Sequence, residues 1–158
     1  MEFVKFKLKI NLKKRGFMNK NSFQKPIEKI CDLLKSPITC KRDSSVRDVL
    51  DLFQKHKIGS VIISDEKKVL GIFTERDYVL KIAGNTDINI DDRKIEEFMT
   101  SNPKTIRKDN DLLMGLKYMR IGRFRHLIVV NKDDDLEKVL SIKDFLDFIV
   151  DEVNARML

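Results

Sequence analysis

This 158-residue sequence predicts a mixed α+β (α/β) fold in which one β-α-β-β-α unit is used twice. Three observations lead there. Short apolar runs of strand type alternate with segments of helical periodicity. At an offset of 66 the chain repeats itself: Pro37 meets Pro103, Thr39 meets Thr105, Asp43 meets Asp109, Val46 meets Leu112, and Val61-Ile62-Ile63 meets Leu127-Ile128-Val129. One extra residue in the loop from Asn131 to Asp135 then moves the offset to 67, so that Thr74 meets Ser141 and Asp77 meets Asp144. Repetition of a whole supersecondary unit outweighs any single motif, and two thin units must pack on each other to close a core.

Residues 4–12 alternate between apolar (Val4, Phe6, Leu8, Ile10, Leu12) and polar, the period of a strand with one apolar face. Either this is an added edge strand that docks on the domain or a partner, or it is an upstream extension with a native start at Met18. The extension is preferred, because the chain from Phe23 onward reads as complete without it. Phe23, Ile27, Ile30, Cys31 and Leu34 fall at helical spacing, with Ser22 as N-cap and Pro26 in the first turn. Ser36-Pro37 breaks that helix, and Ile38-Thr39-Cys40 is a short extended piece. Asp43-Ser44-Ser45 caps a second helix with Val46, Val49, Leu50 and Phe53 on its apolar face. Val61-Ile62-Ile63 is a buried-type strand, Asp65 to Lys68 a hairpin loop, and Val69 to Phe73 the returning strand. Thr74 then caps a helix through Tyr78, Val79 and Ile82 that Gly84 can end, with Asp77 in its first turn. The boundaries read this way are 1–20 for a basic extension, 21–84 for the first unit with its preceding helix, 85–94 for a polar linker, and 95–158 for the second unit.

The net charge of +7 is concentrated at the N-terminus. Residues 1–20 carry Lys5, Lys7, Lys9, Lys13, Lys14, Arg15 and Lys20 against Glu2, and the remainder is close to neutral. The charge therefore does not mark the whole domain as a nucleic-acid binder. No apolar stretch approaches the ~20 residues of a bilayer span, so no membrane partner is expected. Cys31 and Cys40 lack CxxC spacing and read as small reduced thiols of a cytoplasmic chain, with a disulfide between them as the minority alternative. No metal-ligand spacing, nucleophile elbow or Gly-x-x-x-x-Gly-Lys loop occurs, so neither a catalytic nor a metal role is assigned.

These residues together resemble a tandem pair of cystathionine-β-synthase-type (CBS) domains, the regulatory Bateman module. The resemblance covers roughly residues 30–150. It rests on the Ser-Pro-Ile-Thr and Asn-Pro-Lys-Thr strand starts and on Asp-Ser-Ser-Val-Arg-Asp-Val-Leu. Further marks are Ile-Gly-Ser-Val-Ile-Ile, Phe-Arg-His-Leu-Ile-Val-Val, Met99-Thr100, and Gly-Ile-Phe-Thr-Glu-Arg-Asp over residues 71–77. The resemblance implies two units joined through their sheets with pseudo-twofold symmetry and two clefts. It implies an adenosine nucleotide (AMP, ADP or ATP) or S-adenosylmethionine as regulatory ligand, with no cofactor required.

By the same resemblance, Gly71, Thr74 and Asp77 form the ribose and phosphate seat of the first unit, and Ser141 and Asp144 that of the second. Thr39, Gly59, Ser60 and Val61 flank the base in one unit, and Thr105, Arg125, His126 and Leu127 in the other. Lys138 stands where Gly71 opens the first motif; it crowds the second site unless strand alternation points its side chain out to solvent, and both readings stay open. Each Thr/Ser-x-x-Asp pair is also explained by helix capping alone. Arg125 and His126, equivalent to Gly59 and Ser60, are placed to reach across to a phosphate held by the first unit; Arg120 and Arg123 are weaker candidates. The function expected is a stand-alone sensing module without chemistry of its own, homodimeric, acting on an unidentified regulated protein. The competing readings are a ligand-free scaffold with degenerate clefts and a nucleic-acid-associated regulator using the Lys-rich tail.

Overall fold

The computed structural model describes residues 24–155. The alternating segment 4–12, the start at Met18 and the cap at Ser22 lie outside the described residues. In order, the elements are α1 (Glu28–Cys31), β1 (Thr39–Cys40), α2 (Val46–His56), β2 (Ser60–Asp65), β3 (Lys68–Thr74), α3 (Glu75–Lys81) and a 3-10 turn (Ile95–Glu97). They continue with β4 (Thr100–Ser101), β5 (Thr105–Arg107), α4 (Leu112–Gly122), β6 (His126–Val130), β7 (Leu136–Ser141) and α5 (Ile142–Asn154). Two sheets result, β1-β2-β3-β4 and β5-β6-β7. In each, the first strand runs parallel to the second and the second pairs antiparallel with the third. The register shift at Ile63/Ser64 recurs at Val129/Val130, so the repeat extends to the bulge.

The strands read as continuous apolar runs because both faces of each sheet are covered. Alternation then sorts the side chains. Val61, Ile63 and Phe73 face the helices of the first unit, while Leu127, Val129 and Leu140 face those of the second. Ile62, Ile72, Ile128 and Val130 form a third cluster, where sheet meets sheet. The hairpin tips lock this contact at one end. Leu136 N–H donates to the Lys67 carbonyl at 2.8 Å, and Lys68 Nζ pairs with Asp135 at 2.7 Å. Part of the Asp133 to Asp135 run is thereby engaged across the two units.

The segments that precede each unit pack on the other one. Ile27, Ile30 and Cys31 belong to the core formed by Leu112, Met119, Leu127 and Phe145, whereas Ile95 and Phe98 join Val46, Val49 and Phe53. Backbone accounting shows why. The opening N–H groups of a helix need acceptors from outside it. Leu112 N–H donates to Lys25 O at 3.0 Å, and Val46 N–H donates to Arg93 O at 2.9 Å. Isolated bridges Pro26↔Asp111 and Ser45↔Lys94 repeat this arrangement. The helix expected over 23–34 is accordingly short, since Ile27 N–H and Glu28 N–H are committed to Asn110 O and Lys108 O. The stretch 85–94, read as a linker, lies over the start of α2, with Ile90 O accepting from Arg47 N–H.

Both cysteines are free among the described residues. Burial pushes each thiol up to about 11, so they are protonated at neutral pH and poor nucleophiles. No described helix is long and apolar enough to cross a membrane.

Candidate functional site

Thr74 ends β3 in an extended conformation and caps α3. Its Oγ1 accepts from Asp77 N–H at 3.2 Å, while Asp77 Oδ2 accepts from Thr74 N–H at 3.0 Å and from Thr74 Oγ1 at 2.6 Å. Lys81 Nζ lies 2.8 Å from Asp77 Oδ1 and also donates to the Phe98 carbonyl at 2.6 Å. In the second unit Asp144 Oδ2 accepts from Ser141 N–H at 2.6 Å and from Ser141 Oγ at 2.7 Å. Both Thr/Ser-x-x-Asp pairs are therefore reciprocal caps, and each fixes a carboxylate at the mouth of a cleft.

The first cleft, a cavity of about 380 Å³, joins Thr74, Arg76 and Asp77 of one unit to Pro103, Lys104, Arg123, Arg125 and His126 of the other. The second, of about 440 Å³, joins Ser141, Lys143 and Asp144 to Pro37, Lys57, Gly59 and Ser60, and His126 lines it as well. Each seat thus faces the strand start and turn of the opposite unit. This differs from the expectation of base-flanking residues within the same unit; Arg125 and His126 line the cleft of Thr74 and Asp77, as expected of them. Packing of the two sheets back to back forces the exchange.

The remaining expected residues line neither cleft. Val61 and Leu127 are fully buried in the two helix-facing cores. Thr39 pairs with Ile62 and Thr105 with Ile128 inside the sheets. Gly71 lies against the chain leading into β4: a Cβ there would meet Met99 Sδ at 2.3 Å and the Thr100 carbonyl at 3.2 Å. Lys138 does not crowd the second cleft, because its Nζ is bound to the Leu34 carbonyl at 2.7 Å. Arg120 lines neither cleft.

Arg76, Lys143 and Lys57 also line the clefts, beyond the residues that the sequence singles out. Arg76 and Lys143 follow the capping residues and are repeat-equivalent, and Lys57 is the repeat equivalent of Arg123, the weaker sequence candidate that the structure places in the first cleft. The latter two close α2 and α4 at φ 52° and 54°, a left-handed conformation that costs a non-glycine residue energy and is concentrated at functional sites. Phe124 forms a wall of the first cleft by folding over Gly122, where a Cβ would lie 2.2 Å from its ring. The signal was available: Pro37 and Pro103, already aligned by the repeat, border one cleft each.

The first cleft is strongly cationic. Elsewhere on the surface Arg42, Arg47, Arg93 and Arg107 pair with carboxylates, and Arg120 makes no ion pair with any described residue. Arg76, Arg123 and Arg125 make no ion pair with any described residue, and Lys104 Nζ instead sits 4.4 Å over the Tyr118 ring. Three unpaired guanidinium groups around one cavity suit an anion with several oxygens. Asp77 supplies the contrasting acceptor, suited to hydroxyl donors.

His126 is held below the ordinary histidine value, first by burial and then by Arg125, against the opposing pull of Asp144 and Glu75. A folded-state value lowered in this way means that the unfolded chain binds the proton more readily below about pH 6.5. Stability is then fully present above the unfolded value and falls as pH drops through the window beneath it. His126→Asn should flatten that acid-side slope in urea midpoints measured from about pH 7.5 to about pH 5. An unchanged slope would assign it to other groups.

Comparison with known proteins agrees with this architecture. The family model for the CBS domain matches twice, over residues 28–84 and 95–151. A 17.7 kDa uncharacterized protein of Acidianus ambivalens is 30% identical over 112 residues, covering 70% of this chain and 66% of that protein. Inosine-5'-monophosphate dehydrogenase of Aquifex aeolicus is 30% identical over 117 residues, but these span only 22% of the enzyme. Among solved structures, the CBS-domain protein ATU1752 from Agrobacterium tumefaciens superposes with a TM-score of 0.72 at 27% identity, covering 83% of this chain and 98% of that one. PAE2072 from Pyrobaculum aerophilum, complexed with AMP, gives 0.71 at 24% identity, over 83% and 99%. The CBS domain pair of MJ0100, in complex with 5-methylthioadenosine and S-adenosyl-L-methionine, gives 0.67 at 26% identity, over 78% and 98%. The chain belongs to the CBS-domain family and carries two such domains, packed sheet to sheet.

Proposed function

We propose that this chain is a regulatory module that binds an adenosine nucleotide, or S-adenosylmethionine, between its two units. The observation that carries this reading is the first cleft, where Arg76, Arg123 and Arg125, without an ion pair among the described residues, share one cavity with the Thr74–Asp77 cap. A phosphate takes the guanidinium groups and a ribose the carboxylate. The AMP complex of PAE2072 and the 5-methylthioadenosine and S-adenosylmethionine complex of MJ0100 support the ligand class. Because each cleft is built from both units, an occupant bridges them and favours one mutual packing over another; that difference in affinity is the regulatory signal. The module has no chemistry of its own in this reading, and the part of inosine-5'-monophosphate dehydrogenase it matches is 22% of that enzyme.

A homodimer provides the second packing. Val79 on α3, Ile121 on α4, and Leu146 and Val150 on α5 are large apolar residues more than half exposed, and packing of a second copy on these helices would cover them. The signal then passes to a partner protein through this assembly.

Calorimetry with AMP, ATP and S-adenosylmethionine tests the ligand reading. Wild type should release heat with at least one of them, and Asp77→Ala should weaken binding about 10- to 100-fold, the loss of hydrogen bonds to a charged group. Absence of heat with all three would leave the clefts as parts of a scaffold.

A further inference from the structure

The two seats are equivalent by repeat but not in acceptor capacity. A carboxylate offers about four lone-pair sites. Asp77 has three of them occupied: Oδ2 takes Thr74 N–H and Oγ1, and Oδ1 takes Lys81 Nζ at 2.8 Å. Asp144 has two occupied, both on Oδ2, and its Oδ1 makes no hydrogen bond or ion pair with any described residue. The offset of 67 puts Phe148 where Lys81 stands, and Phe148 packs against the second core instead of reaching the carboxylate.

A ribose with both hydroxyls free donates twice. Asp144 has room for both donors, and Asp77 has room for one while Lys81 holds its place. That hold is reinforced, because the same ammonium donates to the Phe98 carbonyl at 2.6 Å and so ties α3 to the chain leading into β4. Side chains on the cleft side compensate with charge: Arg76, Lys104, Arg123 and Arg125 line the first cleft, and the second cleft has lysines only. A guanidinium fork is the better match to phosphate oxygens.

We propose that Lys81 is a specificity-determining residue: it withdraws one acceptor site of Asp77, so the first cleft selects its ligand by phosphate and tolerates a deoxyribose, whereas the second requires the intact cis-diol at Asp144. The inference rests on the nucleotide reading above. It also assigns different roles to two sites that the repeat alone would make identical.

Nuclear magnetic resonance on the full, isotopically labelled chain reads both clefts in one sample. Amides of Arg76 and Arg123 report the first, and those of Lys57 and Lys143 the second. In wild type, 2'-deoxy-AMP should bind the second cleft about tenfold or more weakly than AMP, and the first cleft less than about threefold more weakly. Lys81→Met should raise the discrimination of the first cleft to about tenfold, and Lys81→Arg should keep it low. Tenfold discrimination at the first cleft of wild type, or none at the second, overturns the inference while leaving nucleotide binding intact. An unchanged ratio in Lys81→Met does the same. No AMP-induced shift at either cleft overturns the nucleotide reading and this inference with it. Should Lys81→Met not fold, the wild-type ratios decide.

Discussion

Replacing Ile27 with alanine is expected to cost about 2–5 kcal/mol of stability, the range for emptying a buried Ile site. Ile27 is fully buried although it lies close to the start of the described chain. Its Cδ1 approaches Gly115 of α4 closely enough that a Cβ there would sit 3.3 Å away, and its neighbours in the core are Leu112, Leu127 and Phe145. The damage should therefore appear in the second unit. Hydrogen exchange should lose protection first in α4 and α5, with α2 and β2 following only on global opening. Leu33→Ala, at a site 73% exposed, should stay within about 0.5 kcal/mol. Protection lost first in α2 would mean that α1 supports the unit it precedes, against the crossed packing described above.

That crossing marks where sequence reading reached its end. What repeats locally was legible. The caps at Ser45, Thr74 and Ser141 were visible because each needs only residues within three positions of itself. The hairpins were visible too, including the longer second one, where Asn131 Oδ1 gathers Asp133 N–H and Asp135 N–H. Strand faces followed once both sheets were known to be covered. Relations across the chain left no comparable trace. β4 is two residues long and carries no periodicity, so the close packing of Met99 on Gly71 leaves no sequence signal. Lys138 looked obstructive because its partner, the Leu34 carbonyl, is 104 residues away.

The candidate site divides along the same line. The caps Thr74–Asp77 and Ser141–Asp144 are legible because a cap is local, and the place of Arg125 and His126 beside the first cleft because the repeat sets them against Gly59 and Ser60. Which seat faces which turn depends on how two sheets stack, and an alternating apolar pattern does not encode that. Lys81 shows the limit most clearly. At i+4 from Asp77 it reads as an ordinary helix-surface pair, and only the second bond to Phe98 O shows it fixed over the carboxylate.

Ile128→Asp should have the largest effect on the molecule, because both clefts depend on the contact it would break. Ile128 is 1% exposed among Ile62, Ile72 and Val130, between the two sheets. The substitution removes a buried branched side chain, about 2–5 kcal/mol, and sets a carboxyl group in an apolar cluster at a further cost of several kcal/mol. The combined loss is comparable with the roughly 5–15 kcal/mol of a typical domain, so the units should part or the chain unfold. Burial would raise the pKa of the new carboxyl group, so the stability remaining is greatest below its unfolded value near pH 4 and is lost as pH rises through the folded value. Urea midpoints for Ile128→Asp should therefore recover relative to wild type as pH falls, while those of Ile128→Ala, expected at about 2–5 kcal/mol, should follow wild type. Ligand binding separates this from an ordinary core defect. Thr74 and Asp77 reach Arg123 and Arg125 only across the sheet contact, and Ser141 and Asp144 reach Gly59 and Ser60 the same way. Ile128→Asp should therefore lose binding at both clefts together at neutral pH, where the ionised carboxyl group disrupts the sheet contact most. Retention of either cleft after the sheets have parted would place that site within one unit.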